Sequence, residues 1–228
     1  MNLPPGIHPL RGLFGSCHLL IEGREAVLID TGLIGEIPRI EQLLRQSNLS
    51  FRDLRAILLT HGHLDHTGNL ARLAALSGAP VFAHEKEAAH IAGQFPYRGW
   101  SRVCGALEAA GRTLLHYQPT SITHFLQDGE TLLFCGGLNV IHLPGHTAGH
   151  CGFYSPRHHL LFSGDLFASY RFSIHQPPPF LNSCPELLAG SLARVQRLNP
   201  QLILPNHYDR PDPLLHRSRF DRLMKSLQ

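Results

Sequence analysis

The chain has 228 residues, of which 43% are hydrophobic and 16% are charged, and its formal net charge is +3. These values are typical of a soluble globular protein with a sizeable core, and they exclude an intrinsically disordered chain. Because the basic residues are scattered and no apolar run is long enough to span a bilayer, we expect neither nucleic-acid nor membrane partners.

The 17 histidines and five cysteines give further expectations. The cysteines are widely spaced and form no CxxC pair, which favours free thiols in a reducing compartment over disulfides. The N-terminal segment lacks a basic stretch followed by an apolar one, so we expect no signal peptide and a cytoplasmic location. The histidine content indicates metal or proton chemistry if these side chains converge in space.

The first third of the chain alternates short apolar runs with turns. A β-hairpin is predicted for SCHLLIEG and EAVLIDTG, because each run ends at glycine. Helical apolar spacing follows in GEIPRIEQLLRQSNL, then a short buried strand in RAILLT. A second helix is predicted for LARLAALSG, ending at Gly78, and a strand for PVFAH. This alternation is typical of an α/β layered fold.

The pattern changes between about residues 85 and 123. Helices are predicted for EKEAAHIAG and SRVCGALEAAGRTLL, separated by the aromatic segment QFPYRGW. We interpret this stretch as a helical insertion that covers the active site of a single domain spanning residues 1–228. Strands are then predicted in FLQDGETLLFCGGLNVIHLPG, CGFYSP, HHLLFSGDLF and QLILPNH, with one helix in PELLAGSLARVQRLN. The PPPF segment at 177–180 predicts an active-site loop.

A cluster of potential metal ligands follows the RAILLT strand directly, in THGHLDHTGN. It contains His61, His63, Asp65 and His66 within six positions. Neutral imidazole and carboxylate groups suit zinc, manganese or iron, and one ion rarely needs four such crowded ligands. Two adjacent ions would use all four, and each ion would need further ligands from elsewhere in the chain.

Candidates for those further ligands follow other predicted strands. They are His146 in LPGHTAGH, Asp165 in LFSGDLF and His207 in LPNHYD. Each comes after an apolar run and a small or turn residue, where the backbone can present one side chain at the edge of a sheet. For His150, four residues after His146, we expect a structural, hydrogen-bonded role.

In this order the motifs resemble those of the metallo-β-lactamase-fold hydrolases. HGHLDH, PGHTAGH, SGD and LPNH match the HxHxDH, His, Asp and His motifs of that superfamily, and LIDTG, with Asp30, matches its first motif. The matches extend from about residue 28 to residue 208. The resemblance implies a four-layer αββα sandwich, in which two mixed β-sheets are flanked by helices and the site lies where strand ends meet.

The resemblance also implies two divalent metal ions, for which we expect zinc, with iron or manganese as alternatives. One ion would be bound by His61, His63 and His146, and the other by Asp65, His66 and His207, with Asp165 bridging the pair. Asp30 would orient the histidine loop by hydrogen bonding. A metal pair lowers the pKa of a bound water to about 7, polarises a carbonyl group and stabilises the departing anion. Asp65 would steer the resulting hydroxide or pass a proton to the leaving group.

Candidates for substrate contact lie in two other segments. QFPYRGW contributes Phe95, Tyr97, Arg98 and Trp100. Their side chains either line a pocket or attach the insertion to the core, and the sequence leaves both options open. SYRF contributes Tyr170, which could donate to a developing oxyanion, and Arg171, whose guanidinium could hold a carboxylate.

Within the superfamily the chain is most similar to glyoxalase II, and we predict a dinuclear hydrolase that cleaves a thioester or ester-type bond of a small molecule. Only 21 residues follow His207 in a chain of 228, where glyoxalase II adds a helical glutathione-binding region. ASYRF also replaces that family's Gly-Arg-rich run, which leaves the thiol part of the substrate open. Two alternatives remain: a lactonase assisted by Tyr170, and a persulfide dioxygenase whose single iron is held by His61, His146 and Asp165.

Overall fold

Two β-sheets packed face to face form the centre of the chain. The computed structural model describes residues 3–94 and 97–227, so Phe95 of the QFPYRGW segment lies outside the described residues. The strands are β1 (Ile7–Arg11), β2 (Ser16–Glu22), β3 (Glu25–Ile29), β4 (Leu54–Leu58), β5 (Val81–Ala83), β6 (His124–Phe125), β7 (Thr131–Leu132), β8 (Leu138–His142), β9 (Cys151–Ser155), β10 (Leu160–Gly164), β11 (Ala168–Ser169), β12 (Ile174–His175) and β13 (Leu202–Pro205). The helices are α1 (Glu36–Gln46), α2 (Leu64–Thr67), α3 (Leu70–Ser77), α4 (Ala88–Ile91), α5 (Arg102–Leu114), α6 (Pro185–Leu198) and α7 (Pro213–Ser226).

The first sheet has the strand order β1-β2-β3-β4-β5-β6. Strands β1, β2 and β3 are antiparallel neighbours, which confirms the hairpin predicted for SCHLLIEG and EAVLIDTG. Strands β3 to β6 run parallel. Because the carboxyl ends of parallel strands meet at the same edge, the ends of β3 and β4 bring the LIDTG and THGHLDHTGN motifs side by side.

The second sheet has the order β13-β10-β9-β8-β7, and β11 and β12 form a separate two-stranded ribbon. Strands β10 and β13 are parallel, whereas the other pairs of this sheet are antiparallel. The parallel pair ends at one edge, so Asp165 after β10 and His207 after β13 leave the sheet close together.

Three hydrophobic clusters separate four layers of structure. The first joins one face of the first sheet to α1 and α3, through residues such as Leu28, Ile40 and Leu73. The second fills the space between the two sheets, and the third joins the second sheet to α6 and α7. Burial of one Leu or Ile side chain contributes roughly 1.5–3 kcal/mol, so these interfaces dominate the stability. This arrangement confirms the predicted αββα sandwich.

Several elements were not predicted from the sequence, among them β1, α2, β11, β12 and α7. Strand β1 begins only seven residues into the chain, and α7 follows the last motif. The start of α7 has recognisable signals, because the Asp212 side chain accepts a hydrogen bond from the Leu215 N–H and Pro213 occupies the first turn. Across residues 3–94 and 97–227, no helix combines the length and apolar character that a bilayer crossing needs.

Candidate metal centre

Loops from both sheets bring the seven predicted ligands to one edge of the sandwich. Ring nitrogens of His61, His63 and His146 all lie within 4.8 Å of one another. The ligand atoms of Asp65, His66 and His207 form a second group with the same spacing. The first sheet supplies the four ligands of THGHLDHTGN, and the second sheet supplies His146, Asp165 and His207. The site therefore lies where the edges of the two sheets meet.

Asp165 lies between the two groups. Its Oδ2 atom is 3.4 Å from His146 Nε2 and 3.0 Å from His207 Nε2, and its Oδ1 atom is 3.3 Å from His66 Nε2. One carboxylate therefore contacts a histidine of the first group and two histidines of the second. Asp165 would therefore be within reach of an ion held by either group.

Burial keeps the first group of imidazoles neutral. It lowers the pKa of His63 to about 3, lowers that of His146 to about 4 and moves that of His61 well below its usual value. The neutral form has the free nitrogen lone pair that a metal ion requires. These three side chains therefore have the protonation state of ligands.

Buried carboxylates reverse this effect in the second group. Burial alone would lower the pKa of His66 and His207, but Asp165 and Asp65 raise both pKa values well above the usual range. In return, the two histidines hold the pKa of each carboxyl well below its usual value, although burial opposes that shift. The carboxylates thus create a local potential that favours positive charge here.

The unpaired polar atoms of this site fit metal ions. The Nε2 atoms of His61 and His63 are buried and have no hydrogen-bond or ion-pair partner among the described residues, and those of His66 and His146 contact only the carboxylates of Asp65 and Asp165. An unsatisfied buried polar atom costs roughly 1–3 kcal/mol, so several in one place require an explanation. Converging imidazole and carboxylate donors are the ligand chemistry of zinc and similar divalent ions. Two further groups have the same spacing, His61 with His66 and Asp165, and His63 with Cys104 and Glu108.

Asp30 fixes the orientation of the histidine loop. Its Oδ1 accepts a hydrogen bond from the Thr60 N–H at 2.8 Å, and its Oδ2 accepts from Thr60 Oγ1 at 2.7 Å and Asn206 Nδ2 at 2.7 Å. His66 Nδ1 lies 3.0 Å from the same Oδ2 and donates to it, because a carboxylate only accepts. Asp30 itself has a φ of 57°, a left-handed conformation that Asp tolerates better than most residues.

The tautomers of His61 and His146 are fixed in the same way. The Thr60 hydroxyl donates to Asp30, so at 3.0 Å it accepts from the Nδ1–H of His61. The Nδ1–H of His146 donates to Asn182 Oδ1 at 3.1 Å, and Asn182 Nδ2 donates to the Pro177 carbonyl at 2.9 Å. In each ring the bond at Nδ1 leaves the Nε2 lone pair available to a metal ion.

Glu87 connects the two ligand loops. It accepts the Gly62 N–H at 2.8 Å on Oε2 and the Gly149 N–H at 2.7 Å on Oε1, and it is fully buried. Burial would raise the pKa of Glu87, but hydrogen bonds from His90 and the backbone lower it to about 2, so the side chain is a carboxylate. The role of Glu87 was not predictable from the sequence, because a glutamate in EKEAAHIAG follows the pattern of a solvent-exposed helix.

The predicted insertion, residues 85–123, also supports the histidine loop. Glu108 of α5 accepts the Leu64 N–H at 2.8 Å, and Arg112 of the same helix donates to the Gly62 carbonyl at 3.1 Å. The Tyr97 hydroxyl donates to Glu108, and its ring centroid is 6.0 Å from that of His63. Tyr97 is 8% exposed and thus attaches the insertion to the loop.

His150 has a structural role, as the sequence predicted. Its Nδ1–H donates to the Leu143 carbonyl at 3.0 Å, and its Nε2 accepts the Asp165 N–H at 3.0 Å. Gly164 of the SGD motif has a φ of 53°, and a Cβ there would lie 2.4 Å from His150 Nε2. A glycine at this position therefore allows the histidine to hold the backbone of Asp165.

Comparison with known families agrees with this geometry. A family model described as the metallo-beta-lactamase superfamily matches residues 10–207. The chain belongs to the metallo-beta-lactamase superfamily. Members of this superfamily are mostly metal-dependent hydrolases, and the resemblance identified from the motifs is confirmed.

Two curated relatives are hydrolases by name. A probable metallo-hydrolase of Bacillus subtilis, YybB, is 28% identical over 82% of this chain and 77% of its own length. A hydroxyacylglutathione hydrolase of Bdellovibrio bacteriovorus is 32% identical over 79% of this chain and 57% of its own length.

Two solved structures share the fold over most of both chains. A metallo-beta-lactamase family protein of Thermus thermophilus, TTHA1429, superimposes with a TM-score of 0.72 at 26% identity, covering 99% of this chain and 80% of its own. A protein named TTHA1623, crystallised in a di-iron-bound form, superimposes with a TM-score of 0.67 at 28% identity, covering 92% and 96%.

A cavity of about 240 Å³ opens beside the ligands of this metallo-beta-lactamase-superfamily protein. His146, Asp165 and His207 form one of its walls. The PPPF segment, predicted to be an active-site loop, contributes Pro177 and Pro178, and Tyr170 also reaches the lining. The cavity is thus the place where a substrate can meet the candidate metal centre.

The other predicted substrate residues lie outside this lining. Arg98 is exposed, and Trp100 is 80% exposed. Arg171 is exposed, and its guanidinium lies 5.0 Å from the centre of the Phe172 ring. The geometry brings the seven ligands, Asp30 and Tyr170 together, whereas a role in substrate binding for Arg98, Trp100 or Arg171 stays a prediction.

Proposed function

We propose that the chain is a dinuclear metal-dependent hydrolase that cleaves a thioester or ester bond of a small molecule. The observation that carries this proposal is the position of Asp165 between two groups of three ligands. A single ion would use only one of these groups. We expect two zinc ions per chain, with iron or manganese as alternatives, and the di-iron form of TTHA1623 supports a count of two.

Metal ions bound by these residues would supply an acidified water and an electrophile for the scissile carbonyl. Asp65 is a carboxylate 3.4 Å from His207 Nε2 at the partly open side of the site, where it would orient the attacking water or pass a proton to the leaving group. Tyr170 lines the cavity and would donate to the developing oxyanion. Asp30, Asn182 and Glu87 would hold the ligand loops in place.

The choice of bond rests on similarity. A hydroxyacylglutathione hydrolase acts on a thioester by name, and this chain is 32% identical to one over 190 residues. We further propose a cytoplasmic location, which five unpaired cysteines support, and a small-molecule substrate without nucleic-acid or membrane partners.

Metal analysis combined with a substrate panel tests the proposal. Protein purified without added metal is analysed for zinc, iron and manganese, then assayed on thioesters, lactones and a persulfide with oxygen monitoring. We expect two ions per chain and thioester or ester hydrolysis. One iron per chain with oxygen uptake on the persulfide would overturn the proposal, and turnover of lactones alone would replace it with a lactonase.

Asp65→Asn tests the proposed role of the Asp65 carboxylate within that mechanism. The amide cannot act as a base, so kcat should fall even at saturating metal. A variant that keeps both full metal occupancy and full kcat would remove this role from Asp65.

A further inference from the structure

Most of the cavity lining beyond the candidate ligands is apolar. It is formed by Phe167, Ala168, Pro177, Pro178 and Leu181, and the exposed fraction of Phe167 is 1%. The two other lining side chains are Tyr170 and His175. The candidate ligands and these apolar side chains line the same cavity. A bond held at the candidate metal centre therefore has one of its substituents against the apolar surface.

Away from the candidate ligands, the lining formed by the described residues offers no cation that could pair with a charged substituent. Among the described residues that line the cavity there is no lysine or arginine, and Asp165 is the one carboxylate. The ring nitrogen Nδ1 of His175 donates to the Gln176 carbonyl at 2.7 Å, so this nitrogen is not available to a substituent. Arg171 packs on Phe172 outside this lining. A carboxylate held in the part of the cavity away from the ligands would lose its hydration without gaining an ion pair.

The volume limits the size of the substituent. An apolar cavity of about 150 Å³ is large enough for benzene in an engineered protein, so a cavity of about 240 Å³ holds a ring of that size together with a carbonyl group. A straight chain of comparable volume is a hexanoyl group. A peptide-like substituent with several charges does not fit these limits.

We propose that this cavity selects the acyl half of the substrate, and that the acyl group is uncharged, apolar and about as large as a benzoyl or hexanoyl group. The inference rests on the proposed hydrolase function and gives it a substrate class. In the reaction, water adds its oxygen to the carbonyl carbon, the carbon–sulfur bond breaks, and the products are the carboxylic acid and the thiol. The thiol half leaves on the open side, so the cavity does not select its structure.

A series of thioesters with one leaving thiol isolates the acyl preference. N-acetylcysteamine thioesters of acetate, hexanoate, benzoate and succinate are assayed with protein of measured metal content. We expect kcat/KM for hexanoyl and benzoyl to exceed that for acetyl by at least about 10-fold, as added apolar contacts do in other enzymes. Succinyl should react at least about 30-fold more slowly than hexanoyl, because its charge is buried without a partner.

Two variants of opposite size test the location. Ala168→Leu fills the cavity and should lower kcat/KM for benzoyl far more than for acetyl, whereas Leu181→Ala enlarges it and should shift the preference toward longer chains. Leu214→Ala is the matched control, since Leu214 is 49% exposed on α7 and lies outside the lining. The control should keep the acyl preference of the unaltered protein.

Calorimetry provides a readout that does not depend on turnover. Hexanamide should bind with a negative heat-capacity change, the signature of apolar burial, and Ala168→Leu should weaken it. Succinamate, the monoamide of succinate, should bind at least about 30-fold more weakly than hexanamide. Succinyl turnover equal to hexanoyl turnover, or variants with unchanged preference, would overturn the substrate class and leave the hydrolase intact. Absence of hydrolysis across the whole series would overturn the hydrolase function itself.

Discussion

His61 is, with His66, one of the two most deeply buried candidate ligands. It is fully buried, its Nδ1–H donates to Thr60, and its Nε2 has no protein partner among the described residues. We predict that His61→Ala abolishes tight binding of one ion per chain and lowers kcat/KM by at least about 1000-fold, because a catalytic metal lost with its ligand removes the nucleophile. Metal analysis by mass spectrometry and thioester assays measure both effects.

The control for this experiment is His116→Ala, at an exposed histidine outside the candidate ligand groups. It should keep the metal content and activity of the unaltered chain. If His61→Ala also kept both, the whole assignment of the metal centre would be wrong.

Glu87 provides a second test at a single side chain. Glu87→Gln keeps the shape of the side chain but replaces one acceptor oxygen by an NH2 donor. The N–H of either Gly62 or Gly149 therefore loses its acceptor. We predict metal affinity weakened by about 10–100-fold, the usual effect of losing a group that positions ligands. The free energy of unfolding should fall by about 1–3 kcal/mol. Competition with a chromophoric chelator and urea titration measure these changes.

Glu85→Gln serves as the comparison, since Glu85 is exposed two residues away in the same turn. It removes the same charge from the protein without touching the ligand loops. Equal loss of metal affinity in the two variants would mean that net charge, and not the connection between loops, is responsible.

At the residue level, the predictable features were those with a chemical signature. The seven candidate ligands and Asp30 stand in short motifs after apolar strands, so their positions follow from local sequence. Glu87, Asn182 and Asn206 act through contacts with residues at least 25 positions away, and no local pattern marks them. Their partners become visible only when the loops are brought together in space.

Among the elements, α5 combines two functions that its sequence does not separate. Its exposed face carries Leu107, whereas its buried face directs Glu108 and Arg112 at the histidine loop. The sequence predicted the helix but left open whether the insertion lines a pocket or attaches to the core. For Tyr97 the hydrogen bond to Glu108 corresponds to attachment.

We predict that Glu108→Ala destabilises the protein by about 2–3 kcal/mol, because the Leu64 N–H and the Tyr97 hydroxyl both lose a buried acceptor. Hydrogen exchange of the amides at residues 62–64 should become faster, since the loop loses its support. Urea titration and exchange mass spectrometry measure the two effects. In the control Leu107→Ala, at a side chain 62% exposed, the change should stay within about 0.5 kcal/mol. Unchanged exchange in Glu108→Ala would contradict a supporting role for α5.

The strands and helices were predictable where burial imposed a period. The run RAILLT and the helix LARLAALSG appear as β4 and α3, and the left-handed Gly78 ends that helix as predicted. Strand β1 escaped prediction because IHPLR mixes polar residues and proline, and it acquires its structure by pairing with β2 at the edge of the sheet. Tertiary pairing of this kind overrides a weak local preference.

The whole molecule carries several histidines that burial keeps neutral, and these give its stability a pH dependence. His18 is fully buried, 5.2 Å from the Phe162 ring, and burial lowers its pKa from 6.5 to about 4. The unfolded chain therefore binds a proton at higher pH than the folded chain does. The contribution of His18 is complete above pH 6.5 and is lost as the pH falls toward 4.

We predict that His18→Phe reduces the acid sensitivity of the protein. The dependence of the free energy of unfolding on pH should become less steep between about pH 6.5 and about pH 4.5, by up to about 1.4 kcal/mol per pH unit for one histidine. Urea titrations of both proteins with a chelator present, at a series of pH values, measure the slopes. Parallel slopes for the two proteins would show that His18 does not titrate in this range.

The division of the ligands between the two sheets has a consequence for split versions of the chain. His61, His63, Asp65 and His66 precede the exposed stretch at 113–116, and His146, Asp165 and His207 follow it. A cut in this stretch would give two fragments, neither of which contains both halves of either proposed coordination sphere. Tight metal binding by a mixture of the fragments would therefore show that they have reassociated. Metal binding would in this way measure recovery of the complete fold.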